Sequence, residues 1–151
     1  MLRIVRATAA AAAMFAVCLC ASGAGRADIV VTVDKAIQRM TVVIDGEHRY
    51  TWPVSTGLHG TPSGSFRPQI LSRNHRSRLF NNAPMPYAIF YSGHYAIHGT
   101  TAISQLGARA SKGCVRLHPS NAAVLFALVQ QRGLASTRIV IQDSQVQAAR
   151  R

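Results

Sequence analysis

The dipeptide Asp45-Gly46 stands between two runs rich in β-branched and apolar residues, Met40 to Ile44 and His48 to Val54. Glycine tolerates the positive φ that a two-residue hairpin turn requires, so the two runs are expected to lie antiparallel and side by side. Ile29 to Val33 has the same character and reaches Met40 through a turn around Lys35. The N-terminal third therefore reads as a β-meander, and the fold is β-rich from its first elements.

Further along, Gly57, Gly60, Pro62, Gly64, Pro68, Asn81, Asn82 and Pro84 break the stretch from Ser55 to Pro86, which is read as loop. A segment this long without regular structure is uncommon in a compact domain and tends to serve as a lid or one wall of a cleft. Strands are expected again at Met85 to Tyr91 and Tyr95 to His98, with Ser92-Gly93 as their turn. Pro119 suits the first turn of a helix. Ala122, Val124, Leu125, Leu128 and Val129 then recur at helical spacing until Gly133 stops it, which gives one packed helix near 119–132. Thr137 to Ile141 is a closing strand, followed by a polar tail from Gln142 that is expected to fray.

The N-terminus reads differently. Arg3 and Arg6 precede an apolar run from Ala7 to about Ala21, and small residues lead to Gly25-Arg26-Ala27, the pattern of a secretory signal cleaved after Ala27. The alternative, a retained transmembrane anchor, needs roughly 20 apolar residues, and this run is shorter. Export would leave a single domain over 28–151 and would place the protein in the periplasm or cell envelope. Cys18 and Cys20 would go with the leader, leaving Cys114 without an intramolecular partner. A lone thiol in an oxidising compartment is either buried and inert or retained because it reacts.

Removing Arg3, Arg6 and Arg26 from the seventeen Lys and Arg leaves fourteen cations against five Asp and Glu. Such a balance favours polyanions, and for an exported protein cell-wall and surface polymers are closer to hand than nucleic acid. Arg73, Arg76 and Arg78 cluster with Asn74 and His75, but no aromatic residues interleave with them as a single-strand nucleic-acid groove requires.

Two short segments carry the chemistry, Ala96-Ile97-His98-Gly99-Thr100 and Ala110-Ser111-Lys112-Gly113-Cys114-Val115-Arg116-Leu117. An imidazole that takes a thiol's proton makes cysteine a nucleophile, and flanking cations, here Lys112 and Arg116, lower the thiol pKa. Gly113 lets backbone approach a substrate closely, and the amides of Gly113 and Cys114 are candidates to meet a developing oxyanion. As residues alone, His98 and Cys114 at this separation are equally compatible with a core histidine and an inert thiol.

The literal strings His98-Gly99-Thr100 and Ser111-Lys112-Gly113-Cys114-Val115-Arg116-Leu117 resemble the signature of the L,D-transpeptidase catalytic domain. Trp52 to Gly57, Thr61 to Phe66 and Met85-Pro86-Tyr87 extend the resemblance over nearly all of 28–151. It implies a β-sandwich-like domain with one packed helix, Cys114 as nucleophile, His98 as its base, and the backbone carbonyl of Gly99 orienting the imidazole. It further implies attack on the bond joining a diamino acid to terminal D-Ala in a peptidoglycan stem peptide, loss of D-Ala, and transfer of the acyl group to an amine, with no metal and no other cofactor. Cell-wall biogenesis and maintenance of cell shape would be the setting. The acceptor stays open: a second stem peptide (a 3→3 cross-link), water (an L,D-carboxypeptidase), or the amine of an outer-membrane or surface protein. Ser111 and Arg116 belong to the motif, Arg116 bracing the loop, meeting a substrate carboxylate or equally making an ordinary surface or structural ion pair. Tyr95 and Tyr87 are candidates for the cleft wall and equally for core packing.

Two positions depart from the family pattern. Asn121 stands near the place where many members carry aspartate, and reads as a helix-start residue; Lys112 replaces a frequent histidine. Two other readings compete. His94, His98, His118 and Cys114 are all metal-capable, but their spacing on extended chain argues against a zinc site. A non-catalytic module could instead dock on anionic wall polymer with Cys114 inert.

Overall fold

The computed structural model describes residues 28–144; the leader read over 1–27 and the tail over 145–151 lie outside the described residues. Strands β1 (Ile29–Asp34), β2 (Arg39–Ile44) and β3 (Glu47–Pro53) form the expected antiparallel meander. At its hairpin turn Asp45 (φ 52°) and Gly46 (φ 85°) both take the left-handed conformation. That sheet is widened by a parallel partner for β1, strand β9 (Thr137–Gln142), and by β4 (Gly64–Phe66) beyond it, in the order β3-β2-β1-β9-β4. A second sheet runs β5-β6-β7-β8, built from Ile70–Arg76, Pro84–Ser92, Tyr95–Gly99 and Val115–Leu117.

The expectation of loop from Ser55 to Pro86 is overturned, because this stretch holds β4, β5 and the start of β6. Strand β5 lies at a sheet edge with Ile70, Arg73, Asn74 and Arg76 exposed, so neither of its faces is buried throughout and it carries no apolar alternation. What stays irregular is the chain from Val54 to Ser63, the short link from Arg67 to Gln69 and the connection from Ser77 to Ala83. Strand β8 was also unforeseen. Its three residues are too few for a periodic signal, and it exists through parallel pairing with β7.

Between the sheets, Val31, Met40 and Val42 of the first meet Ile89, Ile97, Val115 and Leu117 of the second. Each such side chain taken out of water contributes about 1.5–3 kcal/mol. Helix α1 (Pro119–Arg132) adds Ala122, Leu125, Phe126 and Val129, one face at helical spacing, packed on β6 and β7. His118 caps its start by accepting from the Ser120 amide, and Gly133 at φ 94° ends it. Asn121 lies inside the first turn, so the cap is His118.

The start of the tail is tied down where fraying was expected. Gln142 completes β9, Asp143 pairs with Lys35 at 2.9 Å, and the Ser144 amide donates to Asp34 Oδ1 at 3.1 Å. The opposite face of the second sheet carries a separate small cluster, Met85, Ala88 and Ala96 with Phe90 and Cys114 packed on it. That face floors a cleft.

Candidate active site

In the parallel ladder between β7 and β8, Ile97 aligns with Val115 and His98 with Arg116. Alternate residues of a strand point to opposite faces, and Ile97, Val115 and Leu117 point into the core. Ala96, His98, Cys114 and Arg116 therefore share the outer face, with Cys114 diagonal to His98 across the ladder. Both line a cavity of about 500 Å³, together with Thr100, Ser111, Lys112 and Arg116. The segment from Ser77 to Met85 forms its far wall.

His98 is 6% exposed, and its Nδ1 lies 2.7 Å from the Gly99 carbonyl, which can only accept, so Nδ1 carries the proton. Burial pushes the imidazole pKa down to about 4; the carbonyl opposes this, and the positive charges of Arg116 and His75 add to it. The ring is thus neutral near pH 7 with the Nε2 lone pair available as a base.

Flanking cations were expected to lower the thiol pKa of Cys114. The net direction is upward, because burial outweighs the Ala96 backbone hydrogen bond and the charge of Arg116, and Lys112 has no part in it. Cys114 therefore rests as a thiol, and its activation requires proton transfer to a base.

The cysteine loop is held from behind. Ser111 Oγ donates to the Cys114 carbonyl at 2.6 Å and accepts from the Gly113 amide at 3.1 Å. That second bond engages one of the two amides expected to face an oxyanion; the Cys114 amide makes no hydrogen bond among the described residues. Gly113 sits at φ 134°, and a Cβ there would lie 2.7 Å from Cε1 of Tyr95. Tyr95 thus packs behind Gly113 and does not line the cavity, while Tyr87 lies on the other side of the sheet against Phe126.

Alongside the loop runs the chain after β3. Ser55 and Arg116 exchange backbone hydrogen bonds, Ala110 and Ser111 donate to the Thr56 carbonyl, and the Leu58 amide donates to that of Ser111. Thr61 Oγ1 accepts from the Gly57 amide and donates to the Gly113 carbonyl. Gln38, buried, bonds Thr56 through both ends of its amide, and buried Lys35 donates to the Thr61 carbonyl. Sequence reasoning missed Lys35, Gln38, Thr56 and Thr61. Thr56 and Thr61 fall within the strings Trp52 to Gly57 and Thr61 to Phe66 that carry the family resemblance, which assigned them no role.

Arg116 donates to Gln105 Oε1 at 3.2 Å and has no carboxylate partner among the described residues. Lys112 is exposed, its Nζ 4.6 Å from the Phe80 ring centre. The arginine cluster of the sequence is dispersed: Arg73 lies over the rings of Tyr87 and Phe126, Arg76 donates to the Asn82 carbonyl, and Arg78 lines a second cavity. Of the metal-capable residues, Cys114 shares one cavity with His98 and the other with His94, but no three of His, Cys, Asp or Glu converge to hold a metal ion among the described residues.

A thiol and a neutral, backbone-oriented imidazole thus share one face of a parallel strand pair within a two-sheet domain. The family model of the L,D-transpeptidase catalytic domain matches residues 28–141, and the chain belongs to that family. Relatives include a putative L,D-transpeptidase of Bacillus subtilis (strain 168), YkuD, 27% identical over 117 residues that cover 74% of this chain and 64% of that protein. A probable L,D-transpeptidase of Escherichia coli (strain K12), ErfK/SrfK, is 41% identical over 91 residues, 57% of this chain and 28% of that protein. Among solved structures, an L,D-transpeptidase from Mycobacterium smegmatis superposes with a TM-score of 0.66 at 23% identity, over 76% of this chain and 58% of that one. The chain thus spans less than two-thirds of each of these relatives.

Proposed function

We propose that this protein is an exported peptidoglycan L,D-transpeptidase that uses Cys114 as nucleophile and His98 as base. The observation that carries the reading is the placement of a protonated thiol and a neutral imidazole in one cavity of a domain of this family. Nε2 of His98 takes the Sγ proton as sulfur attacks the carbonyl between the diamino acid and terminal D-Ala. The Cys114 amide is the donor available to the oxyanion. Collapse delivers the proton to the leaving nitrogen, D-Ala departs, and a thioester remains. An acceptor amine then gives its proton to the same imidazole, attacks the thioester and restores the thiol.

A transfer to an amine, in preference to water, is supported by a second cavity of about 310 Å³ that also reaches Cys114, lined by His75, Arg78, Phe90 and His94. Both cavities are bounded by Ser77, Leu79 and Phe80, so the connection between β5 and β6 separates two approaches to one sulfur. Donor and acceptor each need such an approach. A second stem peptide or the amine of an envelope protein would serve as acceptor.

Mass spectrometry of the protein from Asp28 onward with disaccharide-tetrapeptide, compared with Cys114→Ala, tests this. D-Ala release by wild type only, with a cross-linked dimer, is the expected result. A trimmed tripeptide alone would make water the acceptor. No release from either protein, with Cys114 unlabelled by a carbapenem, would return the chain to the wall-binding reading.

A further inference from the structure

The Gly99 carbonyl, which accepts from Nδ1 of His98, belongs to a residue enclosed by two prolines. The φ of Gly99 is not positive, so what this glycine supplies is room and not an unusual backbone angle. A Cβ on it would lie 3.1 Å from Cγ of Pro86 and 3.2 Å from Cα of Pro119. Pro86 comes from β6 and Pro119 opens α1, so two elements close on the residue that orients the imidazole. The peptide that carries this carbonyl is anchored at its other edge, where the Thr100 amide donates to the Leu117 carbonyl at 2.9 Å.

Pro86 reaches Gly99 where β6 breaks step. The ladder between β6 and β7 pairs Phe90 with Ala96 and Ile89 with Ile97. Carried on in that register it would set Tyr87 opposite Gly99; instead Tyr87 takes φ 56°, a conformation that bulky residues rarely adopt. Toward β5, Ser72 pairs with Ala88 and Asn74 with Pro86, and the step between them, Arg73 and Tyr87, is left out. Such a residue persists only where its surroundings over-determine it. The Tyr87 ring packs edge-on to Phe126 of α1 at 5.8 Å between centres, and the Arg73 guanidinium lies 5.7 Å from the first ring centre and 5.5 Å from the second. Strand β5, the break in β6 and the helix that begins at Pro119 are thus fastened together one residue from the proline that meets Gly99.

Building on the transpeptidase reading, we infer that Pro86 is a positioning residue for the reaction: seated by the left-handed turn at Tyr87, it holds Gly99 against Pro119 and so keeps the Gly99 carbonyl on His98 Nδ1. A neutral imidazole has one proton between its two nitrogens, and the hydrogen bond made by one of them decides which keeps it. With the Gly99 carbonyl in place the proton stays on Nδ1, and Nε2 is free to take the proton of Cys114. Once that peptide tips, the proton can move to Nε2, and the ring then donates where it has to accept.

Three variants separate this clamp from general stability. Pro86→Ala removes the ring that meets Gly99. Tyr87→Val and Tyr87→Asn both lose the contact with Phe126, but asparagine tolerates a positive φ and valine does not. The first readout is the 15N spectrum of the His98 ring at pH 7, which shows which nitrogen is protonated and needs no substrate; the second is kcat and KM for D-Ala release from disaccharide-tetrapeptide. Wild type is expected to hold the proton on Nδ1. Pro86→Ala and Tyr87→Val should show mixed tautomers and a kcat lower by about tenfold or more at nearly unchanged KM. Tyr87→Asn should melt earlier than wild type yet keep both the tautomer and the rate. A Pro86→Ala protein with its proton still on Nδ1 overturns the inference, and so do rates that simply follow the melting temperatures of the three variants. Should Tyr87→Val not fold, Pro86→Ala and Tyr87→Asn still decide. A wild type that releases no D-Ala, with Cys114 unlabelled by a carbapenem, removes the transpeptidase reading, and the tautomer spectra alone then judge the clamp.

Discussion

The hydroxyl of Thr61 donates to the carbonyl of Gly113 at 2.8 Å while accepting from the amide of Gly57 at 2.9 Å. One buried side chain thereby sets the backbone directly before the nucleophile. Thr61→Val keeps the shape and leaves both backbone groups without partners, a loss of about 2 kcal/mol. Urea unfolding of the variant checks the stability, and carbapenem acylation of Cys114 checks the loop. Acylation is expected to slow by about tenfold or more, since small displacements of a nucleophile are costly. An unchanged rate would detach Thr61 from the site.

Gly113 tolerates no side chain, for two separable reasons. Its φ of 134° strains any L residue, and a Cβ would meet the Tyr95 ring at 2.7 Å. Gly113→Ala should destabilise by about 2 kcal/mol or more. Adding Tyr95→Ala removes the clash and leaves the strain, so thermal melts of the double variant should show no recovery beyond the effect of Tyr95→Ala alone if the backbone angle dominates.

His98 makes stability depend on pH with a definite sign. Its pKa is about 4 in the fold against 6.5 for the free side chain, so below pH 6.5 the unfolded chain binds a proton that the folded one refuses. Stability from this group is complete above pH 6.5 and is lost as pH falls toward 4, at up to about 1.4 kcal/mol per unit and about 3 kcal/mol in total. Urea titrations between about pH 7.5 and 4.5 should give a shallower slope for His98→Gln than for wild type. Equal slopes would mean that the imidazole is hydrated.

The ion pair of Lys35 with Asp143 predicts an order of effects. The ammonium is buried, the carboxylate half-exposed. Asp143→Ala strands a buried cation, whereas Lys35→Met leaves a carboxylate that water can reach, so the first should destabilise more. Because Lys35 also donates to the Thr61 carbonyl, Lys35→Met and Thr61→Val should be non-additive by about 0.5 kcal/mol or more in a double-mutant cycle.

Local chemistry made much of this molecule legible in advance. Asp45-Gly46 encoded its hairpin in two residues, Pro119 and Gly133 bracketed α1, and the segments around His98 and Cys114 do meet in one cavity. Strand β5 was hidden because neither of its faces is buried throughout, so no apolar residue recurs at every second position. Ser111 engaging the Gly113 amide, the sign of the Cys114 shift, and Gln38 reaching Thr56 were hidden for another reason. Each depends on burial or on contacts between distant segments, which spacing along a chain does not record.

The stretch from His48 to Gln142, which holds all six histidines of the chain, contains no Asp or Glu. Acidification can therefore only add positive charge to this stretch, which bears the cleft, and nothing there turns negative until thiols and phenols ionise. The attraction of this stretch for an anion is weakened by dissolved salt, whose screening length is about 8 Å at physiological ionic strength. A plot of acylation rate by an anionic donor against salt concentration would read that dependence directly.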